Sequence, residues 1–212
     1  MKTGQRRERE IAHTRIDILE AAIVAFTRTG LHSATMQDIA REAGYTAASL
    51  YTYFKSKQEI VDAMITHLTD EYIQLYDEPT PNGLTFRQRF ELLSRRNLEL
   101  VDKRRNVFDG FLNEETGSTL CPASASGQAF HSNFGRRIQR LTKWLRDNAA
   151  PSDLGGNDPE TLAHLLIGMG FGLFHQWRAS NSQVSFVDYA TILTDFFFYG
   201  VSGKPKTGAR KK

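Results

Sequence analysis

Four consecutive residues, 46–49, combine two hydroxyl groups with two methyl side chains. The hydroxyl groups of Thr46 and Ser49 can form hydrogen bonds with the edges of bases. The methyl groups of Ala47 and Ala48 can pack against the methyl group of thymine. Because all four side chains are short, a helix that exposes them can place its first turn in the major groove of DNA. We therefore expect hydroxyl and methyl contacts to base pairs here, rather than bidentate recognition of guanine.

The surrounding residues, 35–54, have the pattern of two short helices separated by a turn. The apolar residues of the first helix recur at i, i+3, i+4 and i+7 and are Met36, Ile39, Ala40 and Ala43. Thr35 is a candidate N-cap with Asp38 three residues later. Gly44 can leave the first helix with a positive φ, and Thr46 can cap the second. This arrangement predicts a helix-turn-helix.

The same segment resembles the DNA-binding signature of TetR-type transcriptional regulators. The matching residues are Thr35, Ile39, Ala40, Ala43, Gly44, Leu50, Tyr51, Tyr53, Phe54 and Lys57. The chain differs from the signature at Tyr45, where a small aliphatic residue is usual, at Thr46, usually Ser, and at Ala48, often Gly. The resemblance implies that the two tyrosines divide between packing and phosphate contact and that Lys57 binds a backbone phosphate. The predicted DNA-binding residues are Thr35, Thr46, Ala47, Ala48, Ser49, Tyr51, Tyr53 and Lys57.

Helical periodicity runs through almost the whole chain, and no segment alternates with period two. We therefore predict an all-α fold of about nine helices, with an N-terminal three-helix DNA-binding head and a C-terminal helical body. Outside the helix-turn-helix, the predicted helices cover about 14–29, 56–76, 85–103, 107–112, 130–149, 158–180 and 185–202. Residues 115–128 are rich in Ser, Gly, Ala and Pro and read as a loop, a candidate mobile gate.

These elements suggest four regions. We predict a flexible basic arm over 1–9, the helix-turn-helix domain over 10–55, a ligand-binding and dimerisation domain over 56–201, and a basic flexible tail over 202–212. Both ends are basic, whereas the net charge of the whole chain is only +3, so the central region is acidic. The position of the N-terminal arm beside the helix-turn-helix favours contact with phosphates.

Composition excludes several classes of protein. The single cysteine, Cys121, cannot form an internal disulfide, so we expect a cytoplasmic protein. The first fifteen residues do not resemble a signal peptide, and the longest apolar run, 165–174, is about half as long as a membrane span requires, so no membrane association is expected. We expect no metal and no cofactor, because His164 and His175 are separated by about 16 Å along a helix and no metal-ligand spacing occurs.

The last two predicted helices carry apolar residues on more than one side, and such helices need more than one partner. Gly168, Gly170 and Gly172 permit close approach of a second backbone. TetR-like proteins pair the corresponding helices into a four-helix bundle across a two-fold axis, which implies a homodimer. The predicted dimerisation residues are Leu162, Leu166, Met169, Leu173, Leu193, Phe196 and Phe197. The alternative is that this surface is internal to one subunit.

Large aromatic residues are frequent in the predicted body, and most of them belong in a core. Together with a few polar groups they also provide what an apolar ligand pocket needs, and the family resemblance implies such a pocket between the middle helices. The candidate ligand-binding residues are Met64, Asn97, Phe108, Phe111, Phe134, Trp144, Phe171 and His175.

These observations predict a DNA-binding transcriptional regulator, a homodimeric repressor that a small apolar or amphipathic ligand releases from a palindromic operator of double-stranded DNA. A regulator that responds to a protein partner, or that activates transcription, is an alternative. An enzyme with a helix-turn-helix head is a further one, although the sequence contains no catalytic constellation.

Overall fold

The computed structural model describes residues 2–105, 126–179 and 185–200; of residues 2, 3 and 126–130 it describes the backbone only. Within these ranges the chain contains eight α-helices and two 3₁₀ turns, and no strand. The helices are α1 Lys2–Thr29, α2 Met36–Glu42, α3 Ala47–Tyr53, α4 Lys57–Leu75, α5 Phe86–Lys103, α6 Ser126–Asn148, α7 Pro159–Ala179 and α8 Tyr189–Tyr199. The 3₁₀ turns are Pro151–Leu154 and Phe186–Asp188.

The predicted all-α class is confirmed, and most predicted helices are found within a few residues of their expected ends. The predicted helix at 107–112 and the tail 202–212 lie outside the described residues. The helix α6 begins at Ser126, before the predicted start at 130, so the last residues of the predicted loop 115–128 are helical. The rest of that loop lies outside the described residues.

The first helix is longer than the sequence predicts. It begins at Lys2 instead of near Thr14, so residues 2–9 are helical and not the flexible arm that we expected. Residues 4–13 are exposed, and Arg6 pairs with Glu10 one turn later at 2.9 Å. An exposed i, i+4 ion pair supports a helix by only about 0.2–0.5 kcal/mol, so this pair is a small contribution in a polar segment that has no core to pack on.

The described helices form two compact units, Met1–Asp70 with Arg104–Phe134, and Glu71–Lys103 with Gly135–Lys212. The core of the first unit is built from α1, α2, α3 and the first half of α4, and its fully buried residues include Ile18, Ile39, Leu50, Phe54 and Ile60. This core continues to Leu68, well past the boundary predicted at residue 55. Four short or partly exposed helices need this extra apolar surface, because so small a domain buries little area on its own.

Aromatic residues dominate the core of the second unit. The rings of Phe90 and Phe197 stack with centroids 4.4 Å apart, and Phe86 meets Phe198 edge to face at 5.5 Å. These contacts fasten α8 to α5. Aromatic pairs in such arrangements contribute about 0.5–1.5 kcal/mol beyond the area that they bury. The side chain of Arg87 on α5 adds an ion pair to Asp195 on α8.

Candidate nucleic-acid interface

The turn between α2 and α3 is built by side chains that cap each helix. The hydroxyl of Thr35 accepts from the backbone N–H of Asp38 at 3.2 Å, and the Asp38 carboxylate accepts from the Thr35 N–H at 3.0 Å, which completes a capping box. Gly44 follows with φ of 74°, a conformation that costs a residue with a Cβ atom about 1 kcal/mol or more. Thr46 then caps α3 by accepting from the N–H of Ser49 at 3.1 Å. The predicted helix-turn-helix is confirmed in these details.

One side of α3 is fastened to the rest of the first unit. Leu50 and Phe54 are completely buried in its core. The guanidinium of Arg15 on α1 lies over the Phe54 ring, 4.0 Å from its centroid, and donates to the carbonyl of Tyr53. A second bond, of 3.3 Å, joins Arg15 to Glu59 at the start of α4. These contacts hold the orientation of α3 relative to both flanking helices.

The other side of α3 is exposed. Its accessible residues are Thr46, Ala48, Tyr51 and Thr52, and Tyr45 directly precedes them. The ring of Tyr51 is the most prominent of these, with 47% of the residue exposed. Ala47 and Ser49 are half-buried, as is Tyr53, whose ring lies 6.1 Å from that of Tyr45. A rigid helix that exposes short side chains flanked by tyrosines fits the major groove of DNA.

Two of the hydroxyls predicted to contact DNA are already used within the protein. The hydroxyl of Thr46 donates to the Ser49 oxygen at 2.9 Å while it caps the helix, and the hydroxyl of Thr35 donates to Asp38 at 2.6 Å. A base that accepts from either hydroxyl would compete with its bond to Ser49 or Asp38, whereas the helix caps use the same oxygens as acceptors. The exposed surface is therefore richer in methyl groups and tyrosine rings than the sequence suggests.

The side chain of Lys57 is bonded to the loop between α1 and α2. Its ammonium group donates to the carbonyl oxygens of Leu31, His32 and Ala34, at 2.9, 2.8 and 2.9 Å. An ammonium group has three protons, so these three bonds use its whole donor capacity. The phosphate contact that the family resemblance implies for Lys57 stays a prediction, and it would require the ammonium group to give up at least one of these bonds.

Sequence reasoning missed two exposed residues at this surface. Tyr45 was noted only as a departure from the family signature, yet its ring borders the exposed side of α3. Lys55 lies between α3 and α4 with an exposed side chain, and its backbone N–H donates to Glu59 at 2.7 Å. The sequence could have identified Lys55, since a basic residue directly after a predicted recognition helix is a candidate for phosphate contact.

The predicted dimerisation residues occupy several environments in the second unit. Leu166 and Leu193 are buried within the chain, and Phe197 is half-buried and packs on Phe90; a dimerisation role for these three stays a prediction. Leu162, Met169 and Leu173 are half-buried, and Phe196 is 46% exposed. The most exposed apolar residues are instead Leu165 on α7 and Ile192 on α8, at 57% and 58%.

The candidate ligand residues are divided between the two units. Met64 is part of the buried core of the first unit, and Phe134 is a half-buried residue of the same unit. In the second unit, Trp144 packs against Phe86 with ring centroids 6.0 Å apart, and the Asn97 amide donates to the Leu93 carbonyl at 2.8 Å. The remaining candidates are Phe171, which is half-buried, His175, which is exposed, and Phe108 and Phe111, which lie outside the described residues.

Comparison with known proteins assigns this interface to a family. The model of the family "Bacterial regulatory proteins, tetR family" matches residues 18–64, which contain the capped turn and all of α3. The probable HTH-type transcriptional regulator ArpR of Pseudomonas putida is 31% identical over 182 residues, which cover 82% of this chain and 84% of that regulator. The chain belongs to the TetR family.

Two further relatives of this TetR-family protein differ in how much they share with it. The HTH-type transcriptional repressor KstR2 of Rhodococcus jostii is 34% identical over 88 residues, so the match spans only 42% of this chain and 43% of that repressor. The crystal structure of the regulator FadR from Bacillus subtilis in complex with stearoyl-CoA superimposes with a TM-score of 0.73 at 17% identity, covering 88% of this chain and 98% of FadR. The second likeness is one of fold.

As a member of the TetR family the protein is a DNA-binding transcriptional regulator and not an enzyme. The alternative of an enzyme with a helix-turn-helix head is therefore excluded. None of the helices in the described ranges is both long enough and apolar enough to cross a membrane. The individual base and phosphate contacts of α3 stay predictions.

Proposed function

We propose that the protein is a homodimeric repressor whose two α3 helices enter successive major grooves of a palindromic operator. The observation that carries this proposal is the exposed side of α3, which is capped by Thr46 and anchored through Leu50 and Phe54. A dimer must hold its two recognition helices about 34–36 Å apart to reach two half-sites on one face of DNA. The name of the relative KstR2 as a repressor supports repression over activation.

The groove-docking role of α3 is tested by Ala48→Glu. Ala48 is exposed on the helix, and a carboxylate at this position would face the negative phosphates without disturbing the core. We expect operator binding to be lost in a gel shift, while the thermal melting temperature and the oligomeric state are unchanged. A matched control is Gln37→Glu on the exposed side of α2. Unchanged affinity of Ala48→Glu would show that α3 does not enter the groove.

Exposed apolar residues on two helices of the second unit, α7 and α8, support the proposed dimer. Leu165, Ile192 and Phe196 are large apolar residues with about half of each residue exposed, and a stable protein rarely exposes several of these on neighbouring elements. Pairing of α7 and α8 with a second copy would bury them. The residues of this proposed pairing face differ from those predicted from the sequence, since Leu166 and Leu193 are buried within the protomer.

A small apolar or amphipathic ligand is the effector that the proposal includes. The stearoyl-CoA complex of FadR, a protein of the same fold, supports this chemistry, and so does the aromatic content of the second unit. A native mass spectrum after mild purification is the direct test. A co-purified small molecule whose removal tightens operator binding supports it. A protein without any bound small molecule, whose operator binding responds to a second polypeptide, supports the alternative of control by a protein partner.

A further inference from the structure

The loop between α1 and α2 forms a receptor for one ammonium group. Three backbone carbonyls within four residues, those of Leu31, His32 and Ala34, converge on Lys57 Nζ at 2.8–2.9 Å. Lys57 is half-buried and begins α4, more than twenty residues later in the chain. The lysine therefore ties the start of α4 to the loop that follows α1, and it donates to three backbone carbonyls of that loop.

The helix-turn-helix lies between the two points that this lysine joins. The chain from Ala34 to Lys57 contains the whole of α2, the turn and α3. Ala34 directly precedes the Thr35 cap and is 1% exposed, so a shift of the loop would move the start of α2. On the other side, only Phe54, Lys55 and Ser56 connect α3 to α4. The bonds of Lys57 thus hold both ends of the DNA-binding segment.

We propose that Lys57 is a positioning residue for the helix-turn-helix and that Lys55, not Lys57, supplies the phosphate contact at the end of α3. This inference rests on the proposed function, in which α3 enters the major groove. Lys55 continues the exposed surface that Tyr51 and Thr52 begin, and its backbone is held by the bond to Glu59. A lysine there reaches a phosphate as a flexible point charge, because its side chain is exposed.

The two roles differ in salt dependence. A side chain that neutralises a phosphate releases a counterion, so its removal reduces the slope of log K against log salt by about 0.9 for each contact. A positioning residue lowers affinity at every salt concentration and leaves the slope unchanged. The variants Lys55→Met and Lys57→Met form a matched pair, since they remove the same charge two residues apart.

The measurement uses a DNA duplex that the wild-type protein selects from a random pool, titrated by fluorescence anisotropy over a range of salt. For a dimer we expect Lys55→Met to reduce the slope by about two, with an unchanged melting temperature. We expect Lys57→Met to keep the slope, to bind at least tenfold more weakly and to melt at least about 4 °C lower. A reduced slope for Lys57→Met with normal melting would overturn the proposal.

Lys57→Arg sharpens the distinction. Arginine is a good ligand for phosphate, but its planar fork cannot direct three donors at carbonyls that surround one nitrogen position. We expect Lys57→Arg to lose stability and affinity as Lys57→Met does; wild-type affinity of Lys57→Arg would contradict the positioning role. If neither variant folds, the ammonium resonance of Lys57 in ¹⁵N-lysine-labelled wild-type protein decides the question. It should stay protected from exchange and unshifted when DNA is added, and a large shift would refute the assignment.

Failure of the proposed function gives a different result. If the wild-type protein enriches no duplex from the pool, the proposed operator binding is wrong, regardless of the results for the lysine variants. If a duplex is enriched and Lys55→Met leaves the slope unchanged, only the assignment of the phosphate contact is wrong. The two proposals can therefore fail separately.

Discussion

At the scale of single residues, the role of a hydroxyl or ammonium group near α3 depends on its hydrogen-bond partner. Thr35 and Thr46 have hydroxyls that serve both as helix caps and as potential DNA contacts, and the capping role was predictable because the partners are three residues away. The partners of Lys57 are 23–26 residues away. No local pattern could reveal them, since they depend on how α1 and α4 pack.

Glu20 illustrates a residue whose contribution depends on pH. Arg104 donates to both carboxylate oxygens of Glu20, at 2.7 and 2.8 Å, and His67 Nε2 lies 3.6 Å from one of them. The hydrogen bond from Arg104, opposed in part by burial, holds the pKa of Glu20 below its ordinary value. A carboxylate with a lowered pKa stabilises the folded state above its unfolded pKa, and this contribution is lost as pH falls through the folded pKa.

We therefore predict that Glu20→Gln lowers the free energy of unfolding at neutral pH and that the deficit shrinks below about pH 4, near and below the ordinary pKa of Glu. Denaturant titrations of both proteins between pH 3 and 7 measure it. Glu10→Gln is the control, because the Arg6–Glu10 pair is exposed on both sides and such pairs contribute little. A deficit for Glu20→Gln that is constant across this range would contradict the role of its charge.

At the scale of secondary structure elements, α7 has two faces that the sequence did not distinguish. Its exposed stripe contains Leu165, Gly168 and Gly172, whereas Gly170 lies on the opposite side near Leu166 and Ile167, which are buried. A Cβ atom added to any of the three glycines would meet nothing within 4 Å. Nothing within the described protomer therefore requires glycine at 168 and 172, and close approach of a second helix is the physical reason that fits.

This arrangement predicts effects of opposite sign on the protomer and on the dimer. The double variant Gly168→Ala with Gly172→Ala should stabilise the helix by up to about 1 kcal/mol at each position, because alanine has the higher helix propensity. The same methyl groups should separate the paired backbones and raise the dimer dissociation constant. Sedimentation equilibrium measures the second effect and thermal unfolding of the dilute monomer the first.

Gly170→Ala is the matched control for this prediction. It makes the same chemical change on the same helix, but on the opposite side, where the residue is half-buried. It should gain helix propensity without weakening the dimer. Equal weakening by Gly170→Ala would mean that the methyl groups act by altering α7 itself rather than by keeping two helices apart.

At the scale of the whole molecule, the proposed repressor needs two heads at a fixed separation, because short side chains on α3 would give each head modest discrimination between bases. A second head makes binding of the palindrome partly intramolecular, which increases affinity by about 10²–10⁴. Ile192 and Phe196, one turn apart on the exposed side of α8, are the residues through which we propose that the two copies meet.

Phe196→Asp should therefore convert the dimer to a monomer, because the carboxylate would be buried without a partner. We expect affinity for the full palindrome to fall at least about a hundredfold while affinity for a single half-site is unchanged. Ile16→Asp, at an exposed apolar position on α1, is the control and should remain dimeric. Analytical ultracentrifugation and anisotropy on both duplexes measure these outcomes, and a dimeric Phe196→Asp protein would refute this pairing surface.

The all-α class and the helix-turn-helix followed from the amino-acid sequence, because caps, turn glycines and apolar periodicity act between residues less than about eight positions apart. Thr35, Gly44 and Thr46 act where the pattern predicts. The helical state of residues 2–9, the bonds of Lys57 and the exposed faces of α7 and α8 came only from the folded chain. In a helix that is apolar on several sides, the sequence does not indicate which side is buried. Nor does it indicate to which distant carbonyl groups a lysine donates. Packing of elements far apart in sequence decides both.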